Sequence, residues 1–148
     1  MIVVDETPEC MNALRFAARR ASKTGGGVVM LFVIPPEEFQ HWIGVGEVMR
    51  AEARQAAEER LSHLAEEVQD LSGVLPEFAI REGVAREEVL KQIKEDPEIG
   101  VLVLGAGTSG DGPGPLVSSL GGRMSADLTV PVTVVPGAMT LEQIDAVC

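Results

Sequence analysis

The chain has 148 residues, enough for one domain that buries roughly 70% of its unfolded surface without disulfide or metal staples. Its net charge of −11, from 12 basic and 23 acidic residues, argues against nucleic acid and anionic lipid as partners, since both need clustered Lys and Arg. The 45% apolar content, with only 3% aromatic residues and no tyrosine, predicts a globular core of Val, Leu, Ile, Ala and Met.

Five apolar runs alternate with helical patterns. The first run is Ile2-Val3-Val4. Thr7-Pro8-Glu9 then reads as N-cap, first-turn proline and first-turn acid. Met11, Leu14, Ala18 and Ala21 form one helical stripe, closed by Lys23 and Gly25-Gly26-Gly27. The second run, Val28 to Ile34, is apolar on both faces and suits the middle of a parallel sheet. After Pro35-Pro36, a long helix is expected from about Glu47 to Leu71, with the stripe Ala53, Ala57, Leu61, Leu64, Val68 and Leu71. The third run, Pro76 to Arg81, alternates and carries charges, which predicts an edge strand. A short helix covers Ala85 to Glu95, the fourth strand Val101 to Leu104, a further helix about Leu116 to Leu128, and the fifth strand Val132 to Val135. The order β-α-β-α-β-α-β-α-β predicts an α/β fold with a parallel sheet and helices on both faces. The domain is expected over residues 1–137, with a tail over 138–148 that forms one or two helical turns.

No apolar run approaches the ~18–20 residues of a membrane span, and MIVVDETPEC has neither a basic n-region nor a signal-like apolar region, so a cytoplasmic protein is expected. Cys10 and Cys148 read as free thiols rather than a disulfide framework. With His41 and His63 alone, and no paired Cys/His spacing, no metal site is expected.

The chemistry concentrates in Val101 to Ser119, VLVLGAGTSGDGPGPLVSS. A strand runs into a loop with five glycines and two prolines, and a helical segment follows near two serines. Strand, glycine loop and helix start in that order offer backbone N–H groups to a phosphate. This is not a Walker loop, which needs Gly-Lys-Ser/Thr, and a dinucleotide fingerprint would follow the first strand, where DETPEC stands.

Four segments, IVVDETPECMNAL, VVMLFVIPP, IREGVAREEVLKQI, and VLVLGAG through VPVTVVPG, stand in an order and at distances by which the chain resembles the universal stress protein family. The resemblance implies an adenine nucleotide alpha hydrolase-like sheet of order 3-2-1-4-5, with a switch point between the first and fourth strands. It implies a stress-response module that binds ATP or AMP, with Mg²⁺ offsetting charge, and that acts through occupancy and homodimerisation at the edge strand Val132–Val135. It implies no catalysis beyond slow ATP hydrolysis. Asp5 and Thr7 fall on the family's strand-Asp-x-Ser/Thr positions, and Val33 where the second strand offers backbone groups to adenine.

The family's Gly-x2-Gly-x9-Gly-Ser/Thr pattern fits in either of two registers, neither complete. Counting back from Pro131 selects Gly105, Thr108, Ser118 and Ser119; starting later selects Gly107 and Gly110, with Leu120 at the third position. Thr108 and Ser118 bring Cβ atoms where glycine permits close approach, Pro113 and Pro115 remove N–H donors, and Asp111 repels phosphate. The alternative reading is therefore a dimeric stress or interaction protein of the same fold that binds no nucleotide. His41-Trp42, after the second strand, reads as a lid, a partner contact or a packed aromatic. Thr7 and Asp5 serve equally as helix cap and solvated carboxylate, and His63 as a solvated helix residue.

Overall fold

Apolar runs with β-branched residues become β1 (Ile2–Val4), β2 (Val29–Ile34), β3 (Glu77–Glu82), β4 (Leu102–Ala106) and β5 (Val132–Pro136). Between and after them lie α1 (Glu9–Thr24), α2 (Gly46–Ser72), α3 (Ala85–Glu95), α4 (Pro115–Leu120) and α5 (Leu141–Val147). A computed structural model describes residues 1–36 and 46–148. The His41-Trp42 pair lies outside the described residues.

The strands form one sheet of order β3-β2-β1-β4-β5, and every pairing is parallel. The expected α/β class and strand order are both observed. Alternate side chains of each strand feed two cores. Ile2, Val4, Met30, Val103 and Val135 meet α1, α2 and α5 on one face. Val3, Leu31, Leu102 and Leu104 meet α3, α4 and the segment that follows it on the other. The two-faced β2 lies inside and the alternating β3 lies at an edge, as its charges demand. On α2 the buried residues are Ala57, Leu61, Leu64 and Val68, one stripe of an otherwise solvated helix.

Two local expectations are corrected. The helix expected over Leu116 to Leu128 is broken: α4 ends at Leu120, and a 3-10 segment covers Arg123–Asp127. Gly121 and Gly122 are the cause, for a Cβ there would stand 2.8 Å from the Val117 carbonyl oxygen and 2.7 Å from that of Ser118. Thr7 does not cap α1, which begins at Glu9 with no side-chain cap bond. Asp5 takes it instead: its Oδ1 accepts from the Thr7 backbone N–H at 2.9 Å and from the Thr7 hydroxyl. Donation to a charged acceptor two residues away holds the Thr7 side chain on Asp5.

The last residues form a helix with a capping box between Thr140 and Gln143. It buries Ile144 against α1 and pairs Asp145 with Arg15 at 2.6 Å. Asn12 of α1 fastens the connection by donating to the carbonyls of Pro136, Gly137 and Met139.

At the β3 edge, Arg81 donates to Glu88 and to Glu95, each at 2.7 Å, and Lys91 donates to Glu88 at 2.7 Å. Hydrogen bonds from Lys91 and then Arg81 hold the buried Glu88 carboxyl below its ordinary range. A lowered native pKa means the stabilisation is complete above the unfolded value of about 4.3 and is lost as pH falls through the native value. Glu88→Gln is therefore expected to shrink the stability difference between pH 7 and pH 3 in urea titrations. Equal differences in the variant and the parent would remove Glu88 from the acid response.

Candidate functional site

β1 and β4 are neighbours, but the helices that follow them leave to opposite faces of the sheet, α1 to one and α4 to the other. The chain therefore opens a crevice beyond the carboxyl ends of these strands, the place where open α/β sheets take ligands. A cavity of about 220 Å³ lies there, lined by Val3, Val4, Asp5, Thr7, Glu9, Val33, Ala85, Leu104, Gly105 and the turn from Pro113 to Val117.

Of the residues nominated by sequence, Asp5, Thr7, Val33 and Gly105 converge on this cavity. Gly107, Thr108, Gly110, Ser118 and Ser119 do not line it. Thr108, Gly110 and Ser118 are exposed. Ser118 and Ser119 are not at a helix start, because Gly114 with φ of 102° and Pro115 begin α4 earlier, and the Ser118 N–H bonds the Gly114 carbonyl at 3.0 Å. The loop also spends donors on itself. Gly107 N–H bonds the Pro113 carbonyl at 3.1 Å, and Gly112 N–H bonds that of Ser109 at 3.2 Å.

Sequence reasoning missed Glu9. The first turn of α1 sits directly on the end of β4, so a Cβ at Gly105 would stand 2.7 Å from the Glu9 carbonyl oxygen. The Glu9 side chain then runs along the loop, with Oε1 3.1 Å from where a Gly107 Cβ would be and its own Cβ 3.0 Å from the Gly137 counterpart. The partial signal was a first-turn acid on the helix that leaves the switch point; which way it faces is set by the packing of α1 on β4. Cys10, one residue on, is buried, and burial pushes its thiol up, which makes it a packed neutral group rather than a nucleophile. Arg60 of α2 reaches the Asp5 backbone carbonyl at 3.4 Å from outside the cavity lining.

A larger cavity, about 630 Å³, lies at the opposite end of the sheet beside Arg20, Gly26, Glu77, Asp96, Ile99 and Gly100. Size does not decide between them. That cavity faces the amino ends of the strands, where the connections are not splayed by a change of face, whereas the smaller one occupies the switch point.

A doubly wound parallel domain with a crevice at its switch point is the class this arrangement defines. The chain belongs to the universal stress protein family, whose model matches residues 1–136. The universal stress protein UspA from Lactobacillus plantarum is similar at 19% identity and a TM-score of 0.72, covering 90% of this chain and 95% of that one. The hypothetical protein MJ0577 shows the same 19% identity and TM-score of 0.72, with 94% and 96% covered. A universal stress protein in complex with cAMP has 13% identity and a TM-score of 0.56, with 93% and 96% covered. At these identities the structural likeness shows the fold. No curated protein matches the chain. Among the described residues, no helix is long and apolar enough to cross a membrane, and no cluster of three or more His, Cys, Asp or Glu could hold a metal ion.

Proposed function

We propose that this universal stress protein is a cytoplasmic module that takes an adenine nucleotide, ATP or AMP, by its nucleoside end in the switch-point cavity and signals through occupancy. The observation that carries this reading is the convergence of Asp5, Thr7, Val33 and Gly105 on one cavity between β1 and β4. Apolar walls from Val3, Val33, Leu104 and Leu116 suit a base, and the Asp5 carboxylate suits sugar hydroxyls. The cAMP complex of a relative supports an adenine-type ligand for the fold. Mg²⁺ would accompany the phosphates, outside the cavity, in this reading. The role proposed is binding rather than catalysis, because among the described residues the cavity lining pairs carboxylates with a threonine and holds no His, Cys, Lys or Arg.

Denaturing the purified protein and analysing released small molecules tests the reading. Recovery of an adenine compound, or a rise in melting temperature with millimolar AMP or Mg-ATP, is the expected result. Failure of both leaves the second reading, a stress or interaction protein without nucleotide, which the self-bonded glycine loop favours.

The assembly proposed is a homodimer through β5. This strand is an edge of the sheet, and Val134 on it is 39% exposed, close to the exposed Leu141 and Val147 of the following helix in sequence. Val134→Lys is expected to give a monomer by sedimentation at concentrations where the parent is dimeric. A dimer that survives the substitution would place the contact elsewhere.

A further inference from the structure

We propose that Glu9 is the specificity-determining residue of the switch-point cavity and makes it discriminate against phosphate, so that affinity falls from adenosine to AMP to ATP. The inference rests on the reading of the cavity as an adenine site and concerns which end of the ligand it tolerates.

The geometry starts from the floor of the crevice. Gly105 lines the cavity and Gly107 follows just beyond the lining; the space their Cβ atoms would fill is taken by Glu9, whose backbone lies against Gly105 and whose Oε1 is 3.1 Å from the Gly107 position. The carboxylate therefore stands on the bare backbone that an anion would need to approach. It is half-buried, and among the described residues no hydrogen bond or ion pair engages it.

Among the described residues no cation lines the cavity, and Arg60 reaches only the Asp5 backbone carbonyl, at 3.4 Å, from outside the lining. Among the described residues, Asp5 is the other ionisable group lining the cavity, and it carries the same sign. The Gly107 N–H, which a phosphate would call on, is already given to Pro113, and Pro113 and Pro115 have none. A phosphate brought to this floor meets a like charge within a few ångströms in a partly desolvated crevice, where repulsion is stronger than in bulk water. A cavity of about 220 Å³ also falls below the usual range for drug-sized ligands of roughly 300–1,000 Å³. It suits a nucleoside with its 5′ end turned outward.

Calorimetric titration of adenosine, AMP and ATP into the parent, Glu9→Gln and Glu9→Ala tests this, at low salt and without Mg²⁺. The parent is expected to bind adenosine more tightly than ATP. Glu9→Gln, close in shape but neutral, is expected to narrow the adenosine-to-ATP ratio about tenfold or more while adenosine affinity stays within about threefold. Glu9→Ala, which removes both charge and bulk, is expected to narrow it at least as far. If adenosine binds and the ratio is the same in all three proteins, the proposal is overturned while the adenine site stands. If the parent prefers ATP, the proposal is overturned in the same way. If no adenine compound binds any of the three, the reading of the cavity falls and takes this proposal with it.

Discussion

Gly105→Val is expected to lower unfolding free energy by about 3 kcal/mol or more and to abolish ligand binding, because it forces apart two backbones rather than two side chains. A Cβ at Gly105 would lie 2.7 Å from the Glu9 carbonyl oxygen and 2.9 Å from its carbon. Neither atom has a rotamer by which to retreat. Relief would require moving the first turn of α1 away from β4, and that turn carries Glu9 and, just before it, Thr7 and Asp5. The substitution thus acts on fold and site together. Gly100→Ala is the control, since nothing lies within 4 Å of a Cβ built there. Urea titrations of both variants give the comparison. A Gly105→Val protein within 1 kcal/mol of the parent would mean that the close approach of α1 to β4 is not needed.

Leu61→Ala is expected to cost about 2–5 kcal/mol, or several degrees or more in Tm. The α2 helix is 27 residues long yet buries only Ala57, Leu61, Leu64 and Val68. Leu61 is fully buried in the core shared with α1 and the sheet. The two leucines supply most of the apolar volume that holds this helix, since alanine adds little and the charged faces add less than 1 kcal/mol per exposed pair. His63→Ala, on the exposed side two residues on, is expected to change stability by no more than about 0.5 kcal/mol. Similar melting curves for Leu61→Ala and the parent would show that α2 docks through other contacts.

Those two residues also mark what the sequence can say. The stripe through Leu61 was legible because helical periodicity is a local signal, and so was the interior place of β2, apolar on both faces. Strand order followed from these together with the charged, alternating β3. The lining of the candidate cavity was legible in part. Asp5, Thr7, Val33 and Gly105 stand at strand ends, and strand ends meet wherever the sheet order brings them. Loop residues obey no such rule. Ser118 and Ser119 read as lying near a helix start, but with α4 beginning at Pro115 they sit inside the helix, off the cavity lining. Thr7 reads as a cap, but its hydroxyl donates to Asp5 and α1 begins at Glu9 with no side-chain cap bond. Glu9 was read only as a first-turn acid, since its position on the glycine floor depends on how closely α1 packs on β4. The Asn12 bonds to the chain after β5 span more than a hundred residues and have no local signature either.

The central claim is that the crevice between β1 and β4 is the ligand site. Backbone amide NMR spectra recorded during an adenosine titration test it most directly. The account predicts shifts concentrated at Asp5, Thr7, Val33, Gly105 and Leu116, with Gly26, Ile99 and Gly100 at the far end of the sheet unmoved. Shifts centred on that far end, or none at millimolar adenosine, would contradict it.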